Sequence, residues 1–275
     1  MLDLQEIFVY HRAMQVLWDK KSLFLYHVLD GKVRLVGGCV RDYLLHKRFQ
    51  DRDMATTLTP DEVIEKLKKH GIPYLEIGRA FGTIVAKFDG TPFEITTLRR
   101  DIQTDGRHAV VGFTKNWATD AKRRDFTINA LYADVGGKIY DYVGGLKDLK
   151  NKRVRFIGNA LKRMQEDYLR ILRFFRFWAQ MGEKNMNSSV EKALPHVKEF
   201  LKTLSCDRCR EEMFKIISGP RPVTTLKMMQ KNGILDDFLL KIPFSKKQKK
   251  EITQKKLEKM LENFGFSGYK EEKRR

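Results

Sequence analysis

The chain of 275 residues has few cysteines and no long apolar run. Its three cysteines, Cys39, Cys206 and Cys209, cannot form a disulfide framework, and the last two have no second pair or nearby histidine to complete a zinc site. No stretch approaches the ~18 uninterrupted apolar residues of a membrane span. The N-terminus carries acids and lacks the basic start and apolar centre of a signal peptide. We therefore expect a reduced, cytoplasmic protein with no membrane partner.

Acidic residues are outnumbered: 54 lysines and arginines stand against 35 aspartates and glutamates, a formal charge of +19. This excess is typical of a protein with a polyanionic partner, first of all nucleic acid, although a basic proteome or a solubility effect is the alternative. Six lysines near the C-terminus are predicted to bind RNA phosphates: Lys246, Lys247, Lys249, Lys250, Lys255 and Lys256. A solvated face or a frayed tail is the other interpretation of this run.

Two kinds of segment follow each other along the chain. Up to about residue 135, β-like runs at Val33–Val36, 82–88 and 93–98 alternate with helical stretches such as 59–69. After Gly158 the spacing is helical, which predicts an α+β chain: a small mixed sheet with helices, then an all-helical arm. The helices predicted in the arm are 161–180, 188–203, 205–217 and Pro222–Lys231, and the second of these is expected to begin at Pro195 or to break near it as the alternative.

A glycine pair and a carboxylate pair follow the first predicted strand. Gly37 and Gly38 close it, and glycines let a backbone approach a phosphate closely. Asp51 and Asp53, at i and i+2 on a strand, would point to one face and hold a pair of Mg²⁺ ions. Glu94 is the candidate third catalytic carboxylate, with a surface carboxylate on an edge strand as the alternative. The pattern predicts a site for nucleotidyl transfer.

The chain resembles the class II tRNA nucleotidyltransferase (CCA-adding enzyme) and bacterial poly(A) polymerase family. The resemblance lies in five ordered blocks: residues 37–42, 51–56, 123–131, 140–146 and 166–173. It implies a polymerase-β-like nucleotidyltransferase head over residues 1–135 and a neck with the base-recognition helix over 136–203. A truncated helical body with a basic tail would occupy residues 204–275, shorter at the C-terminus than is usual in the family.

The resemblance also implies which residues bind the nucleotide. Arg41 and Asp42 would contact phosphate and orient that contact, and the block around Arg123 would line the pocket for sugar and triphosphate, with a solvated helix start as the alternative. Arg173 would meet triphosphate or RNA, or belong to a solvated helix face. The nucleotide-binding residues implied outside the base-recognition pair are Gly37, Gly38, Arg41, Asp42, Arg123, Arg124, Asp125, Asn129 and Arg173.

Asp167 and Arg170 are neighbours at i and i+3 on a predicted helix. They could form an intrahelical ion pair, or a carboxylate and a guanidinium could read the amino donor and ring acceptor that C and A share. The resemblance implies the second role, a protein template for incoming CTP and ATP. The polar segment 99–108 is predicted to be a mobile loop, which in the family is associated with the switch from C to A addition.

The expected function is template-independent addition of C, C and A to the 3′ end of tRNA, with release of pyrophosphate. The alternatives are a poly(A) polymerase, a partial CC-only or A-only enzyme, and, in another class, a non-catalytic RNA-binding protein. The expected partners are tRNA, CTP and ATP, and no obligate protein partner is evident.

Overall fold

A seven-stranded mixed sheet organises the first part of the computed structural model, which describes residues 17–104, 109–182 and 186–235. The order across the sheet is β3-β4-β5-β2-β1-β8-β9, in which β2 and β5 are parallel and the other neighbours antiparallel. A separate hairpin consists of β6 and β7. The strands are β1 (Val33–Val36), β2 (Met54–Thr56), β3 (Tyr74–Gly78), β4 (Thr83–Phe88), β5 (Thr91–Thr97), β6 (Arg99–Thr104), β7 (Ala109–Phe113), β8 (Leu131–Ala133) and β9 (Ile139–Asp141).

Three of the five helices described in this part connect strands, one precedes β1 and one follows β9. They are α1 (Lys20–Val28), α2 (Gly38–Leu44), α3 (Pro60–Lys69), α4 (Trp117–Arg123) and α5 (Gly145–Lys150). α3 begins as predicted: the Thr59 hydroxyl accepts from the Glu62 amide, and the Glu62 carboxylate accepts from the Thr59 amide (2.6 Å). This reciprocal capping satisfies two amides that a helix start leaves without partners.

The interior strands carry the core of the sheet. All residues of β2 and β8 are buried, as are three of the four residues of β1. Burial on both faces explains why these strands are short, nearly continuous apolar runs rather than alternating ones. Asp53 and Gly37 lie just outside the ends of these strands, where the backbone leaves the sheet.

A second unit begins at Ala160 and is helical. Its helices are α6 (Ala160–Glu166), α7 (Leu169–Met181), α8 (Ser188–Ala193), α9 (Cys206–Ser218) and α10 (Pro222–Lys231). The last helix was predicted with these bounds, and α9 lies within one residue of its predicted ends.

One predicted helix of this unit was wrong as a continuous helix, and another breaks near its proline. The predicted helix 161–180 is interrupted at Asp167, whose carboxylate accepts the Leu169 amide (3.1 Å) and so starts a new helix. The predicted helix 188–203 ends at Ala193 and is followed by two 3₁₀ turns, Leu194–His196 and Lys198–Thr203. Pro195 lies in the first turn, so the expected break near this residue is confirmed. A proline lacks the amide that would continue an α-helix.

The division of the chain falls between Asn159 and Ala160. Ile139–Asp141 pairs with β8 and so extends the sheet beyond residue 135. The three domain ranges drawn from the sequence stay a prediction. Over the described ranges, no helix combines the length and apolar character needed to cross a membrane.

Candidate active site

The end of β1 lies beside the beginnings of two other strands, because β1 runs antiparallel to both β2 and β8. The Val36 amide donates to the carbonyl of Asp53 (3.0 Å), and the Gly37 amide donates to the carbonyl of Leu131 (3.1 Å). The glycine turn is thereby placed between the carboxylate segment on one side and the 123–131 block on the other. Three blocks that are far apart in sequence meet at this edge of the sheet.

The predicted carboxylates lie next to the glycine turn. β5 runs parallel to β2 with Ile95 opposite Met54, which places Glu94 level with Asp53. Because β5 is an interior strand between β4 and β2, the edge-strand part of the alternative for Glu94 was wrong, but the Glu94 side chain is exposed, as that alternative expected. The prediction of a strand at Asp51 and Asp53 was also wrong, since pairing with the neighbouring strands begins only at Met54.

Burial and the neighbouring carboxylates both act on the pKa of Asp53. The pKa of Asp53 is raised to about 6, first by burial and then by Glu94, with a smaller effect of Asp51 and with Arg124 opposing. Within the described parts of the chain, no three His, Cys, Asp or Glu side chains form a cluster that could hold a metal. Mg²⁺ is usually held by one or two carboxylates together with water and phosphate oxygens, and this donor set fits Asp51 and Asp53.

Gly37 has backbone angles of φ 76° and ψ −123°, which residues with a side chain adopt only at a cost. A Cβ at this position would stand 3.9 Å from Nη1 of Arg124 and 3.7 Å from the carbonyl oxygen of Asn129. Gly37 is therefore required by the backbone conformation of the turn, and the turn places backbone without a side chain next to Arg124. Gly38 follows as the first residue of α2.

Arg41 and Asp42 form a rigid pair on α2. The Arg41 guanidinium donates through Nε and Nη2 to the two oxygens of Asp42, each at 2.9 Å, and through Nη1 to Oδ1 of Asn129 at 2.6 Å. Asn129 in turn donates to Asp125 (3.3 Å). The contacts hold Arg41 in one orientation. The phosphate-binding roles of these residues stay predictions.

Arg123 and Arg124 are held by Asp120, a residue that the sequence analysis missed. Their side chains are 14% and 18% exposed, so the alternative of a solvated helix start was wrong. Burial raises the pKa of Asp120, but Arg124, Arg123, the Tyr132 hydroxyl and the Arg99 amide outweigh it and lower that pKa to about 2. The carboxylate is therefore ionised at neutral pH.

The segment after β5 is a hairpin rather than a loop. β6 pairs with β7 in antiparallel register, with Arg99 opposite Phe113 and Arg100 opposite Gly112. The loop prediction was therefore wrong for residues 99–104, because backbone pairing organises this polar stretch despite its composition. The remaining residues of the predicted loop, 105–108, lie outside the described residues.

In the second unit, Asp167 and Arg170 have different partners. Two contacts of 3.0 Å join Arg208 to the oxygens of Asp167. Arg170 donates to Glu166 (2.7 Å), one turn before it. Asp167 precedes α7, so the expectation that both side chains lie on one continuous helix was wrong; their role as a base-reading pair stays a prediction.

The basic residues further along α7 pack against other side chains. The Arg173 guanidinium lies 5.6 Å from the centre of the Phe177 ring, and Nε of Arg176 lies 2.8 Å from the buried carboxylate of Glu212. The nucleotide or RNA contact predicted for Arg173 stays a prediction. The lysines predicted to bind RNA, residues 246–256, lie outside the described residues.

Asp120 and Arg208 are the polar residues whose importance the sequence analysis overlooked. Asp120 stands three and four positions before Arg123 and Arg124, the spacing of an ion pair on a helix, so this signal was available. Arg208 is 41 positions from Asp167 and no local spacing joins them.

Comparisons with known proteins agree with these blocks. Residues 33–155 match the family model of the poly A polymerase head domain, and residues 185–244 match that of a probable RNA and SrmB-binding site of polymerase A. The chain is 42% identical over 206 residues to mitochondrial CCA tRNA nucleotidyltransferase 1 of Danio rerio, and 45% identical over 191 residues to that of Homo sapiens. These matches cover 74% and 68% of this chain but only 48% and 44% of the relatives.

Among solved structures, the crystal structure of the Bacillus stearothermophilus CCA-adding enzyme in complex with CTP is similar, with a TM-score of 0.75 and 28% sequence identity. The similarity covers 90% of this chain and 63% of that one. Both comparisons therefore relate the chain to part of longer proteins.

Proposed function

The chain belongs to the family of poly(A) polymerases and class II CCA-adding tRNA nucleotidyltransferases, and from this premise we propose that it adds C, C and A to the 3′ end of tRNA. CTP and ATP are the substrates, and pyrophosphate is released at each addition. The chain spans about half the length of the relatives it matches. That it has the activity of these longer proteins is therefore our proposal.

One observation supports the chemistry above the others: the glycine turn, Asp53 and Glu94 lie at one edge of the sheet, with Arg124 beside the turn. Carboxylates and a guanidinium side by side suit a reaction in which a hydroxyl attacks a negatively charged phosphate. The guanidinium neutralises phosphate charge and the backbone of the turn admits the phosphate closely.

Asp51 and Asp53 are the residues that would hold Mg²⁺ in this proposal, and Glu94 would act with them as the third carboxylate. When bound, the metal supplies a Lewis acid for phosphate oxygens and favours the ionised form of the attacking 3′-hydroxyl. The pKa of Asp53 is raised first by burial and then by Glu94, and a divalent cation would offset both effects, which supports this assignment.

Base selection is assigned to Asp167 and Arg170. A carboxylate accepts from the exocyclic amino group, and a guanidinium donates to the adjacent ring acceptor. C and A share this donor–acceptor pattern, whereas U and G do not. Because the two side chains carry the selection, no nucleic acid template is needed.

The proposal is tested with a tRNA transcript that lacks its 3′ CCA, incubated with labelled CTP, ATP and Mg²⁺. Asp53→Asn should abolish incorporation, since it removes a metal ligand and leaves the fold in place. Glu65→Gln, which alters an exposed carboxylate on α3, is the matched control and should retain wild-type rates. Incorporation by folded Asp53→Asn at the control rate would remove the metal-site assignment.

The second candidate is poly(A) polymerase activity or a partial reaction that adds only CC or only A. It is favoured by the head-domain match itself, which is described for a poly(A) polymerase. Product length separates the candidates, because repeated AMP addition gives a ladder and a partial enzyme stops early. Complete absence of incorporation would favour the non-catalytic RNA-binding alternative.

A further inference from the structure

Asp120 is a buried carboxylate outside the predicted site that contacts several elements of the first unit. It lies on α4, and its side chain is 1% exposed. Oδ1 accepts from the backbone amide of Arg99 (3.1 Å) and from Nε of Arg123 (2.9 Å). Oδ2 accepts from the hydroxyl of Tyr132 (2.7 Å) and from Nη2 of Arg124 (3.0 Å). The two carboxylate oxygens of Asp120 thus bind the start of β6, the end of α4 and Tyr132 in the buried strand β8.

The negative charge of Asp120 offsets repulsion among the arginines around it. The pKa of Arg99 is lowered to about 10, first by burial and then by the positive charge of Arg123, with Asp101 and Asp120 opposing. Three guanidinium groups therefore share a partly buried region, and the carboxylate offsets their repulsion. Loss of its charge would leave these arginines with less negative charge to offset their repulsion, so their side chains would move apart towards water.

The two sides of this carboxylate lead to different parts of the candidate site. Arg99 is the first residue of β6, so its amide is the attachment point of the hairpin. On the other side, Nη1 of Arg124 lies at the glycine turn, 3.9 Å from a Cβ built on Gly37. One side chain is therefore in contact with both the base of the hairpin and the arginine beside the turn.

We propose that Asp120 is a positioning residue that sets Arg123 and Arg124 for the incoming triphosphate and couples them to the base of the hairpin. Nucleotide bound to these arginines would then also stabilise β6. This inference rests on the proposed function, because it takes the arginines as nucleotide ligands. It adds a residue that acts through them and a route by which the hairpin responds to the nucleotide.

The positioning role is tested by equilibrium binding of CTP and ATP to Asp120→Asn and to Tyr132→Phe, with thermal melting of each variant. Tyr132→Phe removes the hydrogen bond to the same carboxylate and the one that the hydroxyl accepts from Nε of Arg124 (3.1 Å), but it keeps the charge of Asp120 and both of its arginine contacts. We expect the Kd to rise about tenfold or more in Asp120→Asn and to stay within about threefold of wild type in Tyr132→Phe, since only the first variant loses the negative charge that faces the two guanidinium groups. Wild-type affinity in a folded Asp120→Asn protein would overturn the positioning role.

The coupling is tested independently with two substitutions of Arg99, because Asp120→Asn could fail to fold. Arg99→Pro and Arg99→Ala both remove the side chain, but only proline removes the amide that donates to Asp120. Hydrogen exchange of residues 100–102 is measured with and without CTP. We expect CTP to slow exchange in wild type and in Arg99→Ala, and not in Arg99→Pro. Equal slowing in the two variants would overturn the coupling.

The same measurements separate this inference from the proposed function. A wild-type protein that binds CTP and extends tRNA, yet shows no change of exchange in β6, overturns the coupling and leaves the function intact. A wild-type protein that neither binds CTP nor extends tRNA overturns the proposed function, and the inference with it.

Discussion

Acid should selectively weaken the part of the fold that Asp120 holds. Burial raises the pKa of this carboxyl group, but its arginine, tyrosine and amide partners lower the pKa by more. The net value is about 2, against an ordinary 3.8. A lowered folded-state pKa stabilises the fold at pH values above the unfolded pKa, and this stability is lost as the pH falls towards the folded pKa. The contribution is therefore complete near neutrality and decreases between about pH 5 and pH 2.

The magnitude follows from the same two values. Their difference corresponds to about 2.5 kcal/mol of unfolding free energy at neutral pH, because one pKa unit is worth about 1.4 kcal/mol. Roughly half of this, about 1 kcal/mol, should be lost between pH 5 and pH 3, where the unfolded chain becomes protonated and the folded one does not. The remainder is lost as the pH falls through about 2.

The assay is urea unfolding of wild type and of Asp120→Asn at pH 5, 4 and 3. A Trp178→Phe background restricts tryptophan fluorescence to Trp18 and Trp117, both in the first unit. The difference between the two proteins isolates Asp120, since other titrating groups are common to both. The gap should narrow by about 1 kcal/mol from pH 5 to pH 3. A gap that stays constant or widens would refute the assignment of an ionised, arginine-paired carboxylate.

Three further predictions concern other parts of the chain. Thr59→Ala should destabilise the first unit by about 1 kcal/mol in urea unfolding, because the cap of α3 is lost. Thr59→Ser keeps the capping hydroxyl and should have nearly wild-type stability. Of the three thiols only Cys206 is exposed, and burial raises the pKa of Cys39 to about 12, so a thiol reagent should modify one cysteine quickly in the native chain and all three in urea. Arg208→Ala should raise the KM for CTP and ATP several-fold with kcat changed less than about twofold, because Asp167 loses its orienting partner; an unchanged KM would contradict this.

Local signals predicted the local structure well. The start of α3 was predictable because capping needs only residues three positions apart. Val33–Val36 was predictable because it is an apolar run closed by a glycine pair. Local spacing gave the wrong prediction at Asp167. The apolar spacing continues through 161–180, but the Asp167 carboxylate accepts the Leu169 amide and divides the helix.

The candidate site was predictable as a set of blocks but not as an arrangement. The sequence indicates Gly37, Asp53 and Glu94 as chemically important, yet only the sheet order brings them to one edge. The contact of Asp120 with the Arg99 amide likewise depends on how the hairpin packs on α4. Charge patterns predict partners along a helix, whereas partners across the fold require the tertiary structure.

Whether this chain adds C, C and A is decided by the length of the product formed on a tRNA transcript that lacks its 3′ CCA. We expect two added nucleotides with CTP alone and three, ending in A, with CTP and ATP together. A transcript that already ends in CC should gain a single A from ATP alone. A long ladder of added A, or no addition under any of these conditions, would contradict the claim that this chain builds the CCA end.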